Sequence, residues 1–136
     1  MSSSVEIIVQ LFVKKEKRDR LLTLAAKSSR RDDFRHDLLH DTRSLDPGVL
    51  LRLPEGASVD AVVQALRAAG AGDRAYSISE VLDADDREWR LVDALRAVVG
   101  KAQDSLIFVL GTRAAYYENH EGEQFILQNR SAPARD

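Results

Sequence analysis

Val5-Glu6-Ile7-Ile8-Val9-Gln10-Leu11-Phe12-Val13 is the stretch on which the fold turns. Its residues are mostly β-branched or apolar. Val5, Ile7, Val9, Leu11 and Val13 form one wholly apolar face, while Glu6, Ile8, Gln10 and Phe12 form a mixed one. Period-two alternation of this kind predicts a first strand over residues 5–13. Helical sequence follows from about Lys14, with Leu21, Leu24 and Ala25 at helical spacing and Glu16–Arg20 as an i,i+4 ion pair. Ser28-Ser29 interrupts that helix. Ser29 with Asp32 resembles a capping arrangement, which starts a second helix running to about Asp41.

Beyond it, Asp46-Pro47-Gly48 is a turn signal, Val49–Leu53 a short strand, and Pro54-Glu55-Gly56 its end. Ser58 caps a helix with a Val59, Val62, Val63, Leu66 stripe that stops at Gly70 and Gly72. Ala75–Ser79 reads as a strand. Asp83 or Asp85 opens the next helix, with Leu91, Val92, Leu95, Val98 and Val99 as its buried face. Ser105–Leu110 is apolar on both faces, as a strand covered on both sides would be. Ala114–Glu118 and Gln124-Phe125-Ile126-Leu127-Gln128 flank Asn119-His120-Glu121-Gly122 and read as an antiparallel hairpin.

The predicted order is therefore β-αα-β-α-β-α-β-β-β. Strands alternating with helices imply crossover connections and a largely parallel sheet covered on both faces. The expected fold class is α/β, a single-domain three-layer sandwich whose mixed, mostly parallel sheet carries a C-terminal antiparallel hairpin at one edge. Residues 1–4 and 130–136 are expected to be disordered ends, leaving one domain over residues 5–129.

The 136 residues suit a single domain, and the chain is long enough to bury a core without covalent staples. With no cysteine, disulfide scaffolds, thiolate zinc sites, iron–sulfur clusters and Cys nucleophiles are excluded. No apolar run approaches a membrane span of ~20 residues. Nor does Met1-Ser2-Ser3-Ser4 have the basic, then apolar, character of a secretory signal, so a cytoplasmic location is expected. The formal charge of −2 hides a division: residues 14–35 carry a net +5 and the remainder −7. Such segregation marks either a solvated helix face or a partner surface.

The densest polar constellation is Asp33-Phe34-Arg35-His36-Asp37-Leu38-Leu39-His40-Asp41. On a helix, Asp33, His36, Asp37 and His40 share one face, opposite Phe34 and Leu38. Two imidazoles one turn apart, with an aspartate, are a possible divalent-metal set, but the Glu of a zinc-protease helix is missing and no metal is assigned. His120 lies in the hairpin turn, where a turn role is expected. Ligands of parallel sheets bind beyond the strand carboxyl ends. That rule places Lys14, Lys15, Thr112 and Arg113 as anion-binding candidates, with Glu55 and Glu80 counting against a phosphate. No Gly-rich nucleotide loop and no G-x-S-x-G occurs, so no cofactor is expected. Adjacent strand tyrosines face opposite ways, which makes Tyr116 and Tyr117 interface candidates, one ring in the core and the other exposed. Nucleic-acid binding through residues 14–35 is disfavoured because neither Arg-rich nor RNP-type patterning is present.

Leu39-His40-Asp41 with Leu45-Asp46-Pro47, then Tyr76-Ser77-Ile78-Ser79-Glu80, then Gly111 through Ala115-Tyr116-Tyr117-Glu118 resemble runs in small bacterial proteins of mixed α/β character. The resemblance covers most of residues 5–128. It implies no catalytic residues, but directs attention to His40, Glu80 and Tyr117. The leading functional expectation is a non-enzymatic binding or accessory module acting through a protein or small-ligand contact, as a homodimer or with another protein. The alternative is a small metal-dependent or acid/base hydrolase using the Asp33/His36/Asp37/His40 face with Glu80.

Overall fold

The computed structural model describes residues 3–70 and 72–130. Its first element corrects the deciding expectation: residues 5–13 are not a strand. Ser4–Phe12 is a helix, α1, that buries Ile8, Val9 and Phe12 and half-buries Val5. Those four positions are spaced 0, +3, +4 and +7, the stripe of one helix face. A capping box fixes its start. The Ser3 hydroxyl accepts from the Glu6 N–H at 3.2 Å, and the Glu6 carboxylate accepts from the Ser3 N–H at 2.9 Å. Of the ends expected to be disordered, Ser3 and Ser4 thus cap and open α1, while residues 1, 2 and 131–136 lie outside the described residues.

Helices α2 (Arg18–Ala25) and α3 (Arg31–Leu39) follow, then β1 (Leu50–Arg52), α4 (Val59–Ala69), β2 (Arg74–Ser79), β3 (Arg87–Arg90), α5 (Leu91–Val98), β4 (Ser105–Val109), β5 (Ala114–Glu118) and β6 (Gln124–Gln128). The six strands form one sheet in the order β1-β6-β5-β4-β2-β3, and every neighbouring pair is antiparallel. The expected mostly parallel sheet is therefore wrong. The missing piece is β3, four residues long, in a segment expected to begin a helix. It pairs with β2 through Arg74–Arg90, Ala75–Trp89, Tyr76–Glu88 and Ser77–Arg87.

The ladder shows why alternation misled. Stepping across the sheet, β3 and β4 run the same way, and α5 connects them; β1 and β2 run the same way, and α4 connects them. A helical crossover does join co-directional strands, as it must. Here, however, β2 lies between β3 and β4, and three strands lie between β1 and β2. The β5–β6 hairpin is internal as well, since β1 pairs with β6 on its far side.

Helices cover both faces. Phe12, Phe34, Leu38 and Leu39 from α1 and α3 pack on Tyr76, Ile78, Leu106, Phe108 and Tyr117. On the opposite face Val62 and Leu66 of α4 and Leu95 and Val98 of α5 pack on Ile107, Tyr116 and Ile126. Tyr116 and Tyr117 are both fully buried for this reason, so neither ring offers a contact surface. Among the described residues, no helix is long and apolar enough to cross a membrane.

Candidate functional site

Helix α3 is amphipathic in a way that divides its work. Phe34, Leu38 and Leu39 enter the core, and Arg35 is buried with them, while His36 and His40 stay at the surface one turn apart. Their rings stack at 4.5 Å between centroids with 23° between planes. The helix is anchored at both ends. At its start, Arg31 donates to both oxygens of Asp85 at 2.7 and 3.0 Å, and Arg35 adds a third bond at 2.8 Å. At its end the Tyr117 hydroxyl, buried in the sheet, donates to the Leu39 carbonyl at 2.6 Å, which fixes the residue just before His40.

A third imidazole extends the stack. The His120 ring lies 4.7 Å from that of His40, the two planes 12° apart. It is delivered by the β5–β6 turn, where the Asn119 side-chain carbonyl accepts from the Glu121 and Glu123 N–H groups and Gly122 takes a positive φ of 82°. That φ is open to glycine at no steric cost. Asp104, just before β4, completes the group. Its buried carboxylate accepts from the His120 backbone N–H at 2.7 Å and meets His120 Nδ1 at 3.1 Å. The hydrogen bond to Asp104 raises the His120 imidazole above its ordinary value, because a negative acceptor favours the protonated ring. One potential ligand atom each from His40, Asp104 and His120 lies within 4.8 Å of the others.

The sequence constellation is thus split by the fold. His36 and His40 belong to the imidazole column. Asp33 is instead exposed and paired with Arg30 at 2.5 Å, and Asp37 is paired with Arg20 at 2.7 Å. Glu80 sits 3.8 Å from Arg35 Nε in the ionic cluster around Asp85 and does not join the histidines. Asp104 carried no signal in the sequence, and His120 is a member of the column as well as a turn residue.

Beside the column runs a groove of about 290 Å³ between α2 and the segment after α3, where Lys17, Arg20 and Arg43 line the wall with His36 and His40. Asp37, Asp41 and Ser44 complete its polar lining, and Arg43 Nε lies 3.3 Å from Asp41. A larger cleft, about 650 Å³, opens on the other flank between α1, α2 and the start of α3. There the Tyr76 hydroxyl donates to Asp86 at 2.6 Å, and Asp86 holds a left-handed φ of 53°.

The anion-binding candidates do not converge. Lys14 and Lys15 follow a helix, and the Lys14 N–H donates to the Ser44 carbonyl at 2.9 Å. Thr112 and Arg113 line a separate groove beside Gly70 and Gln128. The strand-end rule has no purchase here, because it belongs to parallel sheets and this one has no parallel neighbours. Comparison with protein-family models, with curated proteins and with solved structures yields no match.

Proposed function

We propose that this chain is a binding module for a divalent transition-metal cation, held by His40, Asp104 and His120. The observation that carries the reading is the convergence of these three donors within 4.8 Å from three separated parts of the chain. Two imidazoles and a carboxylate are the donor types of zinc, cobalt, nickel and iron(II) sites. Metal–ligand bonds of about 2.1 Å at a tetrahedral centre place donors roughly 3.4 Å apart. The exposed rings of His40 and His120 can close the remaining gap by side-chain rotation while Asp104 stays fixed. Asp104 Oδ1 holds the His120 backbone and meets its Nδ1, while Oδ2 makes no hydrogen bond among the described residues. A lone Asp–His hydrogen bond would account for His120; it leaves unexplained why His40 lies parallel to it with a nitrogen in the same set.

The test is calorimetric titration of the tag-free protein with Zn²⁺. One saturable site per chain is expected. His40→Ala, His120→Ala and Asp104→Asn should each weaken it by at least about tenfold, since even outer-shell partners of metal ligands are worth 10–100-fold. Unfolding should also shift upward with Zn²⁺, by about 2.7 kcal/mol at a hundredfold excess over Kd. An absence of saturable binding, or affinity indifferent to His120→Ala, would overturn the proposal.

A further inference from the structure

We infer that the cation at His40, Asp104 and His120 serves to capture a tetrahedral oxyanion, a phosphate or small phosphate monoester, seated in the groove beside the imidazole column. The inference rests on the metal-binding reading of the same site and adds its ligand. Three protein donors leave a divalent ion with open coordination positions, the arrangement of sites that accept an outside ligand. His40 lines the groove as well as belonging to the donor set, so the groove borders the donor set at this residue.

The charge at this place favours an anion: the ion's two positive charges offset Asp104 and the nearby Glu121, and Lys17, Arg20 and Arg43 outnumber Asp37 and Asp41 by one. The groove's carboxylates are already engaged: Arg20 Nε holds Asp37 at 2.7 Å and Arg43 Nε lies 3.3 Å from Asp41. Each guanidinium has five donors in a planar fork, so these single contacts leave its Nη groups for further acceptors. The Lys17 ammonium has no ion-pair or hydrogen-bond partner among the described residues. Charge-assisted bonds from such donors to phosphate oxygens are the strong kind. Size narrows the class further, since about 290 Å³ sits at the lower limit of small-molecule pockets and admits a phosphoryl group with a small substituent.

The basic 14–35 segment gains a role in this arrangement. Lys17 and Arg20 come from it, while Arg43, the imidazoles and Asp104 come from outside it. Of the two readings of that segregated charge, a solvated helix face or a partner surface, this arrangement favours the second, as a groove with one defined occupant.

The experiment uses Co²⁺-loaded protein, whose visible absorption reports the ion's coordination directly. Inorganic phosphate should change the spectrum saturably, and acetate at equal concentration should do so at least tenfold more weakly. Lys17→Ala and Arg43→Ala should each weaken the phosphate response at least fivefold while leaving Co²⁺ affinity within about twofold. A Co²⁺ spectrum that ignores phosphate would overturn the inference and leave the metal reading standing. A phosphate response equal to that of acetate, or untouched by both substitutions, would also overturn it. No Co²⁺ spectrum at all, with no Zn²⁺ binding, would remove the metal reading and this inference with it.

Discussion

Replacing Asp85 by Asn tests what holds α3, and with it His36 and His40, against the sheet. The Asp85 carboxylate accepts four hydrogen bonds: two from Arg31 at 2.7 and 3.0 Å, one from Arg35 at 2.8 Å, and one from the Ser79 N–H at 3.0 Å. Asn preserves the shape, removes the charge, and turns an amide donor toward two guanidinium groups. The Arg35 side chain is only 9% exposed. Its other ion-pair partners are Asp32, 90% exposed, and Glu80, 3.8 Å away, so neither replaces Asp85. Removing one partner of a buried ion pair costs about 3–5 kcal/mol, because the other charge stays buried. Arg31 is 24% exposed and recovers some solvation, which puts the expected loss near the lower figure, about 3 kcal/mol.

Urea denaturation should show that loss as a lower midpoint at unchanged slope, and thermal unfolding as a fall of roughly 10–15 °C. The pH dependence supplies a second check. Burial alone would raise the Asp85 carboxyl, but the hydrogen bonds from Arg31, from the Ser79 N–H and from Arg35 hold it below the ordinary carboxylate value. For a depressed carboxyl, the stabilisation is complete above the unfolded-state value of about 3.9 and disappears as pH falls through the lower folded value. The gap between the wild-type protein and Asp85→Asn should therefore be full at pH 7 and shrink below about pH 4. A loss under about 1 kcal/mol, or a gap as large at pH 3 as at pH 7, would refute this account of the cluster.

Two further substitutions probe the supports of the site and sheet. Tyr117→Phe deletes the 2.6 Å bond to the Leu39 carbonyl inside the core and should cost about 1–2 kcal/mol in denaturant stability, with the ring packing unchanged. Gly72→Ala would place a Cβ 2.8 Å from Val109 Cγ1 and 3.2 Å from the Leu110 carbonyl oxygen, a backbone atom with little room to retreat. About 1–3 kcal/mol of destabilisation should follow, measured by the unfolding midpoint; a neutral result would show that this junction between α4 and β2 is loose.

Where local chemistry and burial agree, the elements were legible. Ser58 caps α4 through the Ala61 N–H at 3.2 Å, and Val62, Val63 and Leu66 are buried along the stripe their spacing marks out. The runs forming β2, β4, β5 and β6 carry enough apolar and β-branched residues between turn signals to be found without knowing their neighbours. Residues 5–13 satisfy two periods at once. Val5, Ile7, Val9, Leu11 and Val13 alternate, while Val5, Ile8, Val9 and Phe12 form a helical stripe. The capping box between Ser3 and Glu6 is the local feature that favours the helix, whereas the β-branched content favours a strand. In β3, Arg87-Glu88-Trp89-Arg90 has only Trp89 partly buried, so an edge strand with no apolar run left no periodic trace.

The candidate site divides the same way. Sequence by itself determined that His36 and His40 share a helix face, because i and i+4 positions meet on any α-helix. It determined too that no cysteine takes part, and that the basic charge gathers in residues 14–35. Only the tertiary structure decided which groups those imidazoles meet. Asp104 and His120 are more than sixty residues further along the chain, and reach His40 through the β4–β5–β6 register and the Tyr117–Leu39 bond. Local spacing sets side-chain direction over one or two turns of helix. Contacts across that separation depend on strand order, which is decided by pairing between strands far apart in the chain and not by local spacing.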